Sequence, residues 1–431
     1  MKSRKKEDLS CLELYIHIPF CVRKCAYCDF LSFPSGEEER ERYVERLTEE
    51  IEEAGAVSEG YVATAIFFGG GTPSVLTPKQ TERILEAVKK SFYVAEDAEI
   101  TTEVNPGTAD REKLAAWRQA GINRLSFGLQ STENRELQYL GRIHTMEDFL
   151  ESYRDAREAG FENINIDLMS ALPGQTVSSW GKTLRTVVSL QPEHISAYSL
   201  IIEEGTPFCQ LFGEDGDAEE EKKRRQSLGI PELPDEDAER RMYYDTERIL
   251  GEAGYHRYEI SNYAKPGYEC RHNKGYWTGT EYLGLGLGAS SYINIRREKG
   301  DAAKISASGE ESGDRRQLER RSNVRDFKTY LSLTREDFRA GRQIEERELL
   351  TNQAQMEEFM FLGLRLTEGI SEAEFLRRFS CTLETVYGDV LEKLARQELM
   401  ERYEREGAAF WRLTKRGIDV SNCVLAEFLM E

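Results

Sequence analysis

Hydrophobic positions recur with two alternating periods over the first 210 residues. The stretch 12–18 (LELYIHI) alternates apolar and polar residues as a β-strand does, and 37–55 (EEERERYVERLTEEIEEAG) carries helical spacing. Residues 62–70 (VATAIFFGG) read as a strand, followed by a helix over 77–91 with Thr77 as cap and Pro78 in its first position. Further strands are predicted at 98–104, 124–130, 163–169 and 194–201, with helical stretches near 110–120, 132–159 and 176–190. Strands alternating with helices imply parallel pairing through right-handed crossovers. The sheet is then either open and doubly wound or curled into a full or partial barrel. Either way a ligand site lies at the C-terminal strand ends. GGGT, NPG, Gln130, SALPGQT and EEGTP all fall there, which suggests one ligand held across the sheet mouth.

The pattern changes after 210. Residues 214–240 and 296–321 are densely charged and read as solvated loops or insertions. From about 345 it turns helical and ends with a short strand pair whose last member is FWRLT, as in a small winged-helix-like module. The expected division is 1–210, an α/β core; 211–325, an extension of it; and 326–431, the C-terminal module.

The 431 residues carry a net charge of −20, which disfavours nonspecific phosphate binding. A DNA-reading wing is disfavoured too: residues 351–431 hold 10 Lys+Arg against 15 Asp+Glu, 10 − 15 = −5. No apolar run approaches the roughly 18 residues of a membrane span, and the basic start MKSRKKEDLSC leads into no apolar segment. A cytoplasmic protein is expected. LGLGLG at 283–288 misses the spacing of a dinucleotide-binding turn and opens no βαβ unit.

Of eight cysteines, Cys21, Cys25 and Cys28 cluster in HIPFCVRKCAYCDF, on a loop after the first strand. Three thiolates leave a metal centre one ligand short. Zinc would take His17 as the fourth ligand. An iron–sulfur cubane would keep one iron open for a small molecule. Incidental thiols are the third alternative.

CxxxCxxC, together with YIHIPFC, GGGTPS, EVNPGT, SFGLQS, LGRIHT and NIDLMSALPGQT in that order, resembles the radical S-adenosylmethionine superfamily, and within it the oxygen-independent coproporphyrinogen oxidase-like group. The resemblance spans nearly the whole chain. It implies a partial (β/α)6 TIM-like barrel with a C-terminal helical, winged-helix-like domain. It also implies a [4Fe–4S] cluster on Cys21, Cys25 and Cys28 whose open iron is chelated by S-adenosylmethionine. The matching cofactor positions are Tyr15, Tyr27, Gly70, Gly71, Thr72, Glu103, Gln130, Arg142 and Asp167.

Two functions divide this group. The oxidases decarboxylate porphyrinogen propionates and typically carry CxxxCxxCxC and a longer N-terminal extension. Heme chaperones of the HemW group carry CxxxCxxCxF and an HNxxYW motif. This chain has Phe30 two residues after Cys28, few residues before its first strand, and His272, Asn273, Tyr276 and Trp277 in CRHNKGYW. The resemblance therefore favours heme binding and delivery to an acceptor hemoprotein, such as one of the respiratory chain, over porphyrinogen oxidation. His272 is a candidate heme ligand, Cys270 a competing one. An electron donor and a homodimer belong to the same expectation.

Overall fold

The computed structural model describes residues 9–213, 218–295 and 317–430. Its core is a run of six parallel strands: β1 (Ser10–Ile18), β2 (Tyr61–Gly70), β3 (Val94–Val104), β4 (Arg124–Gln130), β5 (Ile164–Ser170) and β6 (His194–Ser199). Helices α1 (Glu37–Ala56), α2 (Pro78–Ser91), α3 (Arg111–Ala120), α4 (Asn134–Tyr139), α5 (Met146–Glu158) and α6 (Val177–Ser189) fill the crossovers. Thr77 caps α2, its hydroxyl accepting from the Gln80 amide at 3.3 Å, with Pro78 at the first helical position.

The strands do not close on one another. β1 pairs with β2 on one side and, on the other, in parallel with β9 (Tyr282–Leu285). β6 pairs with β5 and, antiparallel, with β8 (Asn262–Ala264), beyond which lies β7 (His256–Arg257). Past β9 the sheet continues antiparallel through β10 (Ser290–Asn294), β11 (Leu318–Asn323) and β12 (Ile344–Leu349). This is the expected partial barrel, extended at both edges.

Three readings are corrected. The helical stretch 132–159 is two helices. The intervening loop contains Gly141 at φ 75°, a conformation that favours glycine, and delivers Arg142 to the strand ends. The charged stretch 214–240 is not all loop. After α7 (Cys209–Phe212), α8 (Ala218–Leu228) is a helix with no buried residue, and α9 (Glu236–Glu252) begins at an Asp235 cap; 214–217, like 296–316 of the second stretch, lie outside the described residues. The boundary at 326 falls inside the large sheet, because β12 runs to Leu349. A separate core begins at Met356 and gathers Met360, Phe375, Leu391 and Phe428. There, helices pack on β13 (Ile370–Ser371), β14 (Met400–Arg405) and β15 (Ala408–Leu413), ordered 13-15-14. FWRLT supplies the last of these strands, as expected.

One buried carboxylate ties the edge strands to the barrel. Glu50 of α1 accepts from the Gly286 amide (2.9 Å), Asn323 Nδ2 (2.7 Å) and Tyr330 Oη (2.5 Å). Burial pushes its carboxyl up to about 7. Glu50→Ala strands three buried donors and is expected to cost about 3 kcal/mol or more. Glu50→Gln keeps an acceptor oxygen and costs less. Urea denaturation of both variants checks the order.

Candidate cofactor site

The cysteine loop is closed at its base. Phe20 and Phe33 bridge in parallel, the Phe33 amide donates to Pro19 O and the Cys21 amide to Phe33 O, both at 3.0 Å. The loop is also pinned to two others. Ala26 N donates to Leu140 O and Phe208 N to Ala26 O, both at 3.0 Å, and Arg23 Nη2 donates to Gly141 O at 2.5 Å. The glycine turn after β2 packs beneath it. A side chain on Gly70 (φ 108°) would begin 2.4 Å from the His17 ring, and one on Gly71 would begin 2.7 Å from Phe20 O.

Cys21, Cys25 and Cys28 rim one cavity with Tyr27, Phe30, Gly70, Gly71, Thr72, Glu103, Gln130, Arg142 and Asp167. Its space, open solvent included, is about 1180 Å³. The structure thus gathers eleven of the thirteen sequence-derived positions at the C-terminal strand ends. Tyr15 lines an adjoining cavity instead.

The thiols have specific neighbours. Thr72 Oγ1 donates to Cys21 Sγ at 3.3 Å, and Arg142 Nη1 to Cys25 Sγ at 3.7 Å. Burial pushes the Cys28 thiol up to about 11. Arg142 also donates to Gly128 O and, at 2.7 Å, to Asn105 Oδ1, while its Nε is buried with no partner. Asn105 Nδ2 in turn donates to Thr72 Oγ1 at 3.0 Å. Gln130 sits at φ 71° on an irregularity between β4 and β5, its Oε1 accepting from Tyr198 Oη at 3.0 Å. Asp167 accepts from Ser126 Oγ (3.1 Å) and Asn165 Nδ2 (2.8 Å). Burial, then the Asp167 charge, pushes Glu103 up to about 8; burial also raises Asp167.

His17 is not free to be a fourth ligand. Nε2 bonds Leu31 O at 3.0 Å, and Nδ1 is 3.1 Å from Tyr15 Oη, so both ring nitrogens are engaged. Among the described residues no three His, Cys, Asp or Glu side chains converge on a single ion.

The HNxxYW motif divides among three places along α10 (Arg271–Thr278). His272 is 2% exposed, stacked on Phe67 at 4.9 Å and Tyr15 at 6.1 Å. It lines neither cavity, so its expected place at a heme iron is not offered by this geometry. Nδ1 stands 2.9 Å from Glu13 Oε2 in poor hydrogen-bonding alignment, Nε2 has no partner, and burial lowers the imidazole to about 4. Tyr276 lines the adjoining cavity, and Trp277 lies under the Arg365 guanidinium of the C-terminal domain, 4.4 Å from ring centre to Cζ. Cys270 is wholly buried, its thiol 3.4 Å from Glu99.

The NPG turn is visible in the sequence, but nothing in it marks Asn105, which joins Thr72 to Arg142. Arg23 and Tyr198 carry no sequence signal either. Their roles arise from loops meeting in space.

The three-thiol loop over parallel strand ends defines a radical SAM site. A family model for the radical SAM superfamily matches residues 15–187, and one for the HemN C-terminal domain matches 350–420. The chain is 35% identical to the heme chaperone HemW of Bacillus subtilis over 97% of this chain and 99% of that one. It is 33% identical to the Escherichia coli HemW over 97% and 98%, and 33% identical to the mitochondrial radical S-adenosyl methionine domain-containing protein 1 of Danio rerio over 87% and 78%. This chain belongs to the HemW family. Its fold is also that of the coproporphyrinogen III oxidase HemN of Escherichia coli: TM-score 0.76, 22% identity, covering 98% of this chain and 91% of that one.

A buried acid in the barrel interior sets a pH dependence. Burial, then the Glu99 charge, pushes Glu13 up to about 9. A raised acid stabilises the fold fully below its unfolded pKa and loses that contribution as pH rises through the folded one. Between pH 6 and 8 the loss is about 1.4 kcal/mol per pH unit, or about 2–3 kcal/mol. Denaturation of wild type and Glu13→Gln at both pH values should show the variant losing that much less.

Proposed function

We propose that this protein is a heme chaperone. It binds heme and passes it to an acceptor hemoprotein, with a [4Fe–4S] cluster on Cys21, Cys25 and Cys28 and S-adenosylmethionine in the cleft beside it. One observation carries the reading. The loop offers three thiols at one cavity and, two residues on, a phenyl ring that is 61% exposed at its rim, where a fourth thiol would stand in the oxidases. The full-length likeness to curated heme chaperones supports it.

The donor set fits the two cofactors. Three thiols hold a cubane by three corners, and the cluster, when bound, supplies a reducible iron with one open position. Arg142, with Nε unpaired beside Cys25, provides the fixed cation that complements a clustered negative charge or a carboxylate. Glu103 and Asp167 provide acceptors for an amino group or ribose hydroxyls. Bringing a cationic ligand near Glu103 draws its carboxyl towards the ionised form. The glycine turn keeps Cβ atoms away from the loop's backbone, so the thiols can lie close over the strand ends.

Anaerobic reconstitution should give about four irons and four sulfides per chain, lost in Cys21→Ser, Cys25→Ser and Cys28→Ser. Stoichiometric zinc with no cluster in anaerobically prepared protein contradicts this. With cluster, S-adenosylmethionine and reductant present, coproporphyrinogen III should remain unconverted. Protoporphyrinogen formed over many turnovers overturns the chaperone reading.

A further inference from the structure

The cavity at the thiols has a neighbour. A second cavity shares Asp29, Phe30, Gly70 and Glu103 with it, so the two meet at the phenyl ring that replaces the fourth thiol. The rest of its lining differs in chemistry. Tyr276 and Tyr282 meet edge to face with centroids 4.7 Å apart. His272 supports Tyr276 from the barrel interior at 4.8 Å, again edge to face. Arg325 is exposed and lines this cavity but not the first. Both acids of the second cavity, Asp29 and Glu103, lie on the shared wall.

We propose that this second cavity is the heme seat, with Phe30, Tyr276 and Tyr282 against the macrocycle and Arg325 pairing with a propionate. The proposal rests on the heme-chaperone reading and gives it a location. Heme is flat and apolar, with two carboxylates on one edge. It therefore requires aromatic walls and a cation within reach of its propionate edge. The second cavity has the aromatic walls and, in Arg325, an exposed cation that is not part of the wall shared with the first cavity; the Arg325 backbone amide donates to Glu345 Oε2 at 3.3 Å. The groove between α10 and the C-terminal domain has aromatic walls too, Phe359, Phe379 and Phe410, but carries Glu358, Glu368 and Glu374. Its Arg378 is already bound to Glu374 at 2.6 Å. That lining repels a propionate. The assignment also gives the motif two working parts: Tyr276 faces the ligand, and His272 is a positioning residue that holds the tyrosine ring.

The test is a hemin titration of the anaerobically reconstituted full chain, followed by Soret absorbance. It compares wild type with Arg325→Glu, which reverses the exposed charge, and Ser290→Trp, which fills the cavity from an exposed strand position. Wild type should saturate. Both variants should bind about tenfold or more weakly, with the cluster absorbance unchanged. Heme dimethyl ester should bind wild type and Arg325→Glu alike. A wild type that shows no saturable binding overturns the chaperone reading itself. A wild type that binds while both variants match it overturns the location alone. An ester that still separates wild type from Arg325→Glu overturns the propionate pairing.

Discussion

The site depends on two positions that cannot carry a side chain. At Gly70 and Gly71 the space a Cβ would need is filled by the His17 ring and the Phe20 backbone. The turn after β2 can therefore lie flush against the chain leaving β1. The Gly71 amide donates to Ile18 O at 2.9 Å in the same contact. This fixes where the cysteine loop starts, and the Phe20–Phe33 bridge fixes where it ends. A Cβ at either glycine would have to push the loop away from the strand ends and separate the thiols from Thr72, Arg142 and Glu103.

The same packing explains why the barrel interior is polar and yet orderly. The C-terminal ends of β3, β4 and β5 carry Glu103, Gln130 and Asp167, each held by neighbours before any ligand arrives. Deeper in the interior lie Glu13, Glu99, Arg124, Cys270 and His272, all buried. Helix α10 seals this layer. Gly275 permits it, since a side chain there would overlap the Glu13 carboxyl. The helix also reaches outward: Trp277 meets Arg365, and Arg378 Nη2 donates to Thr278 O at 2.9 Å, so one short helix joins barrel interior and C-terminal domain.

Strong local patterns made much of this legible. The six core strands appear within a few residues of the sequence reading, because apolar positions alternate with the polar ones that line the barrel interior, a period-two pattern distinct from that of the helices between them. The cysteine loop and the glycine turn are contiguous in sequence, so their spacing declares them. The rest depends on distant segments meeting. The break at Leu140–Thr145 is hidden by flanking segments with helical spacing, although Gly141 marks it. Asn105 gains its role only because Thr72 and Arg142 arrive on either side. The boundary near Leu350 is masked because β11 and β12, the last two strands at one end of the sheet, are short and charged and resemble surface insertion. His272 reads as a candidate heme ligand in CRHNKGYW because nothing in these eight residues shows that helix α10 turns it inward. Phe30 was informative for the opposite reason: its chemistry, a ring where a thiol is expected, carries meaning without knowledge of its surroundings.

These features converge on one claim. Three thiols on a loop fixed by Gly70 and Gly71 would hold the proposed cluster beside the cleft lined by Glu103, Arg142 and Asp167. Electron paramagnetic resonance of the dithionite-reduced protein, recorded with and without S-adenosylmethionine, tests this directly. The account predicts a [4Fe–4S]⁺ signal whose g-values shift when the sulfonium compound is added, because it occupies the open iron. A reduced cluster whose spectrum is identical in both samples would contradict it.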